Sequence, residues 1–106
     1  MFENATTVEF QPGQVDEALR ILRTDIVPVL KGQKGLVSLC CLPDHAADKI
    51  VVISLWVSKA HALAVEAVSA YQKEVKKLDP LLAQQPDYPA YEARTLERAY
   101  SQMTAN

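Results

Sequence analysis

The segment KIVVISLWVSKAH, residues 49–61, restricts the possible folds of this chain most strongly, because its strand-like part is apolar on both faces. Side chains in a strand point alternately to opposite sides. The two predicted faces are Ile50, Val52, Ser54 and Trp56 on one side, and Val51, Ile53, Leu55 and Val57 on the other. A sheet with one face in water normally alternates apolar with polar residues, and this strand does not. Both faces of its sheet must therefore be covered.

The rest of the chain supplies partners for this strand. The predicted elements, in chain order, are a strand over residues 2–10, a helix over residues 14–30, strands over residues 35–42 and 50–57, a helix over residues 59–78 and a strand over residues 91–100. The charges of the last segment would also tolerate a helix. The order βαββαβ predicts an α+β, ferredoxin-like sandwich, in which two helices cover one face of a four-stranded antiparallel sheet.

The two predicted helices rest on apolar residues about one turn apart. In the first helix they are Val15, Leu19, Leu22, Ile26 and Leu30. In the second helix, predicted to be the strongest of the chain, they are Ala60, Leu63, Ala64, Ala67, Val68, Tyr71, Val75 and Leu78. Pro28 removes a backbone donor and should kink or tighten the last turn of the first helix. Ser58 is predicted to cap the second helix, because its hydroxyl can accept an unpaired backbone N–H.

Length and charge limit the classes of function. A chain of 106 residues fits one domain, predicted over residues 1–106 with a core at about 2–100 and a short polar C-terminal tail. The net charge of −2 gives no electrostatic reason to expect a nucleic-acid partner. No apolar run approaches the ~20 residues that span a bilayer. The N-terminus lacks a signal-peptide pattern, so we predict no membrane partner and a cytoplasmic location.

The two cysteines, Cys40 and Cys41, are adjacent in a predicted strand and would point to opposite faces. A disulfide between them is geometrically poor. We interpret them as buried free thiols, since their spacing fits neither a redox pair nor a metal site. The sequence contains no metal or cofactor motif, and we predict neither a metal nor a cofactor.

Two helices on one face leave the second face of the sheet uncovered. Leaving four branched aliphatic side chains in water would forgo ~1.5–3 kcal/mol each, and the sum of ~6–12 kcal/mol rivals the stability of a typical domain. Val37 and Leu39 of the second strand are predicted to extend this face. We therefore predict a homodimer in which two sheets enclose a shared apolar core. The alternative is a monomer whose C-terminal segment folds over the sheet.

Several motifs combine with this pattern. They are Gln11-Pro12-Gly13 before the first helix, a proline-containing turn over residues 26–30, Gly35 at the start of a strand, and Trp56 followed by Val57-Ser58-Lys59-Ala60 at the end of another. With these motifs the chain resembles, over roughly residues 2–100, the antibiotic biosynthesis monooxygenase-like family of the dimeric α/β-barrel superfamily. The resemblance implies a dimeric α/β barrel, which agrees with the independent argument from burial.

The resemblance also implies a site. Members of the family include cofactor-independent monooxygenases acting on quinols or polyketide phenols, haem-degrading enzymes, and domains without an assigned activity. In the oxygenases the substrate lies between the sheet and the helices, which implies Trp56 in the pocket wall and Asn4 as a polar contact. The polyketide oxygenases also use a tyrosine soon after the tryptophan. The nearest one here is Tyr71, well into the second predicted helix, and its place on the apolar stripe makes it a candidate to face the same pocket. An indole offers a flat apolar surface and one hydrogen-bond donor. The residues by themselves leave open whether Trp56 and Tyr71 line a pocket or fill the core.

The chain departs from the family pattern at several positions. The polyketide oxygenases carry an amide earlier on the tryptophan's strand face, where this chain has Val52 and Ser54. The haem-degrading branch combines an asparagine and a tryptophan, matched by Asn4 and Trp56, with a histidine ligand in the second helix. The residues available there are Glu66, Ala67 and Ser69. His61 lies about a turn too early, so haem chemistry is disfavoured.

Two classes of function are therefore predicted. The first is a cofactor-independent monooxygenase acting on a small aromatic or quinol-type substrate, with Trp56, Tyr71 and Asn4 as catalytic-site residues. Such a substrate can itself supply the electron to dioxygen. The second is a non-catalytic dimeric module that binds a small ligand or acts in a stress response. The shortage of titratable groups in the predicted pocket favours this second class, because acid–base chemistry needs a poised proton carrier.

Overall fold

The centre of the fold is an antiparallel pair of strands from distant parts of the sequence. Strand β1 (Phe2–Glu9) pairs with strand β3 (Lys49–Trp56) along its whole length, with Phe2 opposite Trp56 and Glu9 opposite Lys49. We describe the fold from a computed structural model, which defines residues 1–83 and the backbone of residues 91–97. Strand β2 (Leu36–Asp44) pairs with the free edge of β3, and strand β4 (Tyr91–Glu97) pairs with β1.

The strands form one sheet in the order β2-β3-β1-β4, and every pairing is antiparallel. The helical elements, in chain order, are α1 (Val15–Ile21), a π-helical segment (Leu22–Ile26), α2 (Val27–Lys31), α3 (Lys59–Ala64), a 3₁₀ turn (Val65–Ala67), α4 (Ser69–Val75) and a 3₁₀ segment (Lys76–Leu81). An antiparallel sheet combined with helices confirms the predicted α+β class. The last segment is a strand, and the helical alternative is wrong. The predicted continuation of this strand to residue 100, and the loop before it, lie largely outside the described residues.

The first helical region buries the face that its periodicity predicts. Its apolar residues are buried at Val15, Leu19, Leu22, Ile26 and Leu30. The expected distortion at Pro28 takes the form of a π-helical turn just before it, in which the Val27 N–H donates to the Leu22 carbonyl. Proline lacks an N–H, and its ring crowds the carbonyl four residues earlier, so a wider turn at this point relieves the clash. The wider turn lies over the sheet and brings Leu22 and Ile26 to the same side.

The second helical region differs from the prediction of one continuous helix. The chain becomes extended at Val68, with φ −76° and ψ 117°, and divides the region into α3 and α4. Before the break the buried residues are Ala62 and Val65, and after it Leu78 is buried. The predicted stripe is wrong in its first half, where Leu63 is 49% exposed.

Helix geometry explains the break. Successive residues of an α-helix are rotated by about 100°, so a straight helix would place Val65 and Tyr71 roughly 120° apart around its axis. Val65 is buried, and Tyr71 packs against the same core from the other side of the break. The extended residue Val68 changes the rotation of α4 about its axis relative to α3, so that the apolar residues of both segments can face the sheet. A run of apolar residues at helical spacing does not reveal such a change of rotation.

The outer face of the sheet carries apolar residues, as predicted for β3. Val51, Ile53 and Leu55 are half-buried there, and none of them belongs to the described core that the helices form with the sheet. The prediction that Leu39 belongs to this face is wrong. The register shifts between Leu36 and Ser38, which leaves Val37 as an extra residue in the strand. Leu39 therefore lies opposite Ser54 and packs against the core on the helical side.

Two connections hold the helices in place on the sheet. Asp48, in the turn between β2 and β3, accepts hydrogen bonds from the Phe10 N–H at 2.8 Å and, through its Oδ1, from the Gly13 N–H at 3.1 Å. At the start of α3, the Ser58 hydroxyl accepts the His61 N–H at 3.3 Å, which confirms the predicted N-cap. Among the described residues, no helix combines the length and the hydrophobicity needed to cross a membrane.

Candidate functional site

A cavity of about 280 Å³ lies between the sheet and the helices, where the family resemblance implies a pocket. The described residues that line it are Asn4, Thr6, Val8, Leu22, Ile26, Leu30, Val52, Val65, Glu66, Tyr71 and Val75. Engineered protein cavities of about 150 Å³ hold benzene. The volume is therefore sufficient for a small aromatic molecule of about two fused rings, in a mainly apolar environment with a few polar groups.

The walls of this cavity come from elements that their sequence places on one side of the sheet. Alternation in β1 puts Asn4 on the helix-facing side together with Thr6 and Val8, which also line the cavity. The wide π-helical turn contributes Leu22 and Ile26. The break in the second helical region brings residues from both sides of Val68 to the remaining wall. The cavity thus depends on two departures from regular α-helix.

Asn4 lies at the polar side of the cavity, on the central strand. It is opposite Ser54 of β3, and its side chain is one of the polar groups of the lining. The amide oxygen of Asn4 is buried and has no hydrogen-bond partner among the described residues. An unpaired buried polar atom of this kind destabilises a protein by ~1–3 kcal/mol. The cost is explained if the amide binds a ligand.

Trp56 lies in the core and not in the cavity wall. It is 1% exposed and is absent from the described lining. Its indole N–H donates to the Ser54 hydroxyl at 2.9 Å, and that hydroxyl donates to the backbone carbonyl of Asn4 at 3.4 Å. The single donor that the resemblance assigned to a ligand is therefore already engaged with the protein. The structure thus brings Asn4 and Tyr71 together at the cavity and leaves Trp56 outside it.

Tyr71 reaches the cavity from α4 and is half-buried. Glu66 also lines the cavity, from the 3₁₀ turn before the break, and is exposed to solvent. It was not among the predicted site residues, because a continuous helix would have placed it away from the apolar stripe. Leu63, three residues before Glu66, belongs to the predicted buried stripe but is 49% exposed, so the stripe gave no indication that Glu66 lines the cavity. Only the break reveals it.

The histidines lie outside the cavity. His61 Nδ1 is 2.7 Å from the Ser58 hydroxyl, and the ring packs against Gly35 at the start of β2. His45, in the turn between β2 and β3, pairs with Asp16 at 2.7 Å on the surface. The described residues that line the cavity therefore offer no histidine ligand for haem. Among all the residues that the structure describes, no three His, Cys, Asp or Glu side chains are grouped closely enough to hold a metal ion.

The two cysteines are free, but only one of them is partly buried. Cys40 is exposed on the outer face of β2, which corrects the prediction that both thiols are buried. Cys41 is half-buried on the helix-facing side, and desolvation raises the pKa of its thiol. The thiolate form of Cys41 is therefore disfavoured, so this thiol is a poor nucleophile.

Solved structures share this arrangement of sheet and helices. A crystal structure of an antibiotic biosynthesis monooxygenase superimposes with a TM-score of 0.75, at 13% identity, over 93% of this chain and 99% of the other. The chain has the antibiotic biosynthesis monooxygenase fold. A candidate antibiotic biosynthesis monooxygenase from Caulobacter crescentus CB15 gives a TM-score of 0.77 at 12% identity, over 92% of this chain and 89% of that protein.

The same fold occurs in proteins with less specific descriptions. A conserved protein from Methanosarcina mazei Go1 superimposes with a TM-score of 0.76 at 8% identity, over 92% of each chain. No family model matches the sequence, and no curated protein is significantly similar to it. The resemblance that the sequence motifs indicate is therefore confirmed at the level of the fold. A shared fold does not by itself identify an activity, which depends on the residues of this chain.

Proposed function

We propose that the protein is a cytoplasmic, cofactor-independent monooxygenase that oxidises a small aromatic or quinol-type substrate in the cavity between sheet and helices. The observation that supports it most directly is the buried, unpartnered amide oxygen of Asn4 beside an apolar cavity of about 280 Å³. The fold shared with solved antibiotic biosynthesis monooxygenases supports the same reaction class.

The reaction needs little from the protein besides binding and proton transfer. An electron-rich phenol or quinol that loses a proton can transfer one electron to dioxygen, and the two radicals then combine. Overall the substrate loses two hydrogens and gains one oxygen atom, while the second oxygen atom leaves as water. The protein contributes orientation, a dry environment and groups that hold a proton.

The residues of the cavity divide these tasks. Asn4 forms a hydrogen bond with a substrate hydroxyl or carbonyl, and the phenol group of Tyr71 can exchange a proton at the other side. Trp56 acts indirectly, because it fixes Ser54 and so the backbone of Asn4. The apolar walls exclude water, which strengthens each of these polar contacts.

Oxygen uptake tests this proposal. The purified protein should consume dioxygen with at least one member of a panel of naphthols and quinols, faster than the uncatalysed reaction. Asn4→Leu should lower kcat/KM by at least about tenfold, because the substrate loses its polar contact. The same variant should be no less stable than the wild type in thermal unfolding, since it removes an unpaired buried polar atom.

Thr7→Val is the matched control for this experiment. Thr7 lies on the same strand as Asn4 but faces the outer side of the sheet, opposite Val51. Its replacement should leave kcat/KM within about twofold of the wild type. Absence of oxygen uptake across the panel would contradict the proposed activity, as would an Asn4→Leu variant with full activity.

The second candidate is a non-catalytic module that binds a small ligand in the same cavity. The scarcity of titratable side chains favours it, because Glu66 and Tyr71 are the only such groups among the described lining residues. Saturable binding of an aromatic ligand without any oxygen uptake would support this candidate. The two functions share the cavity and differ only in whether chemistry follows binding.

We also propose that the protein forms a homodimer through the outer face of its sheet. Val51, Ile53 and Leu55 lie on that face, and Leu42 beside them is 49% exposed. Pairing of two such faces would remove these side chains from water, which is the main favourable term in association.

Sedimentation at micromolar concentration tests the dimer. The wild type should sediment as a dimer, and Ile53→Lys should weaken dimerisation at least about tenfold, because a charge would be buried between the sheets. Leu63→Lys is the matched control, since Leu63 is exposed on α3 on the helical side. A monomeric wild type would contradict the proposal.

A further inference from the structure

Glu66 places a negative charge at the cavity. It is the one carboxylate among the described lining residues, and no Lys or Arg accompanies it there. The preceding residue, Val65, is buried, whereas Glu66 itself is exposed. Glu66 is thus a solvent-exposed residue among the residues that line a mainly apolar cavity, which places it at the side of the cavity that faces water.

The backbone holds Glu66 in this position. The Val68 N–H donates to the Val65 carbonyl at 3.0 Å and closes the 3₁₀ turn that contains Glu66. Across the break, the side-chain amide of Gln72 donates to the Glu66 carbonyl at 2.7 Å. Only the second contact uses the backbone of Glu66, and neither contact engages its carboxylate, which stays available to a ligand. The break in the second helical region thus gives this side chain a defined place.

A fixed charge beside apolar walls discriminates between ligands by their charge. Two unit charges about 4 Å apart interact with ~1 kcal/mol in bulk water and ~4 kcal/mol near a protein surface. An aromatic carboxylate entering the cavity would meet this repulsion with no cation in the described lining to offset it. A neutral aromatic hydroxyl would instead donate a charge-assisted hydrogen bond to Glu66.

We propose that Glu66 determines the charge selectivity of the cavity, so that neutral aromatic hydroxyl compounds bind and aromatic carboxylates are rejected. The inference rests on the proposed function in that it requires the cavity to be a ligand site. It goes further in naming the residue that selects the ligand and the class of aromatic anions that this residue rejects. Phenols and quinols belong to the accepted class, and benzoate-type or naphthoate-type acids belong to the rejected one.

Titration calorimetry with two ligands of the same ring system tests the proposal. At pH 7 and low salt, 2-naphthol is neutral and 2-naphthoate is anionic. The wild type should bind 2-naphthol at least about tenfold more tightly than 2-naphthoate. In Glu66→Gln this ratio should fall to within about threefold, mainly through tighter binding of 2-naphthoate. Raising the salt concentration should reduce the wild-type ratio in the same direction.

Glu17→Gln is the matched control, since it removes one negative charge from α1 at a site that does not line the cavity. It should leave the ratio unchanged. A Glu66→Gln variant with the wild-type ratio would overturn the proposal, while oxygen uptake would still report separately on the monooxygenase function. If neither ligand binds the wild type, both the charge selectivity and the proposed function are contradicted. A ratio that depends on Glu66 without oxygen uptake would support the selectivity and contradict only the catalysis.

Discussion

Trp56→Ala is expected to lower the free energy of unfolding by ~3–5 kcal/mol, the range typical of removing a large buried aromatic side chain. Trp56 is 1% exposed and lies at the end of β3, where its indole N–H is bound to Ser54. The variant loses both the packed volume and that hydrogen bond. For a domain of this size the melting temperature should fall by more than roughly 10 °C. Thermal and denaturant unfolding at a fixed protein concentration measure both quantities.

Two further variants locate the origin of this effect. Trp56→Phe keeps much of the volume and leaves the Ser54 hydroxyl without its donor, so it should cost distinctly less than Trp56→Ala. Leu63→Ala is the control, because Leu63 is 49% exposed and its truncation should change stability by no more than about 0.5 kcal/mol. A Trp56→Ala variant that is stable but binds no ligand would contradict the core position of Trp56 and support a position in the pocket wall.

Gly35→Ala is expected to destabilise the protein by ~2–5 kcal/mol through two separate effects. Gly35 has a φ of +90°, a conformation that residues with a Cβ rarely adopt. A Cβ at this position would also overlap with the ring of His61, which packs against Gly35 from the start of α3. The strain costs ~1–2 kcal/mol and the overlap ~1–3 kcal/mol. Denaturant unfolding gives the sum.

The other glycines of the chain separate the two effects. Gly13 has a φ of +81° with no atom within 4 Å of an added Cβ, so Gly13→Ala should show the strain alone. Gly32 has a φ of −79° and ordinary contacts, so Gly32→Ala should be close to neutral. In a His61→Gly background, Gly35→Ala should cost no more than Gly13→Ala. An unchanged cost in that background would show that the ring of His61 does not press on Gly35.

Local sequence patterns predicted much of the sheet and the first helical region correctly. Alternation separated the two faces of β3 and placed Ile53 on the outer one. The 3.6-residue period identified the buried face of the first helical region, and Ser58 identified the start of α3. These features depend on neighbouring residues along the chain, so the sequence contains the information directly.

The errors occurred where packing between distant segments overrides a local pattern. The stripe over residues 60–78 suggested one helix, but Ala62 and Tyr71 must both face the core, and a straight helix cannot do this. Val37 looked like an ordinary strand residue, and the shift of register beside it moved Leu39 to the helical side. Neither position carries a glycine or proline that would have indicated a break or a bulge.

The candidate site shows the same contrast between local sequence patterns and packing between distant segments. The sequence motifs and the resemblance they support named Asn4 and Tyr71 as candidate site residues, and both line the cavity between sheet and helices. Only the tertiary structure decided that Trp56 is held by Ser54 in the core and that Glu66 borders the cavity. Both outcomes depend on how each helix or strand is rotated about its own axis where it packs against its neighbour. That rotation is set by the packing of the whole core, in which each residue contacts partners far away in the sequence.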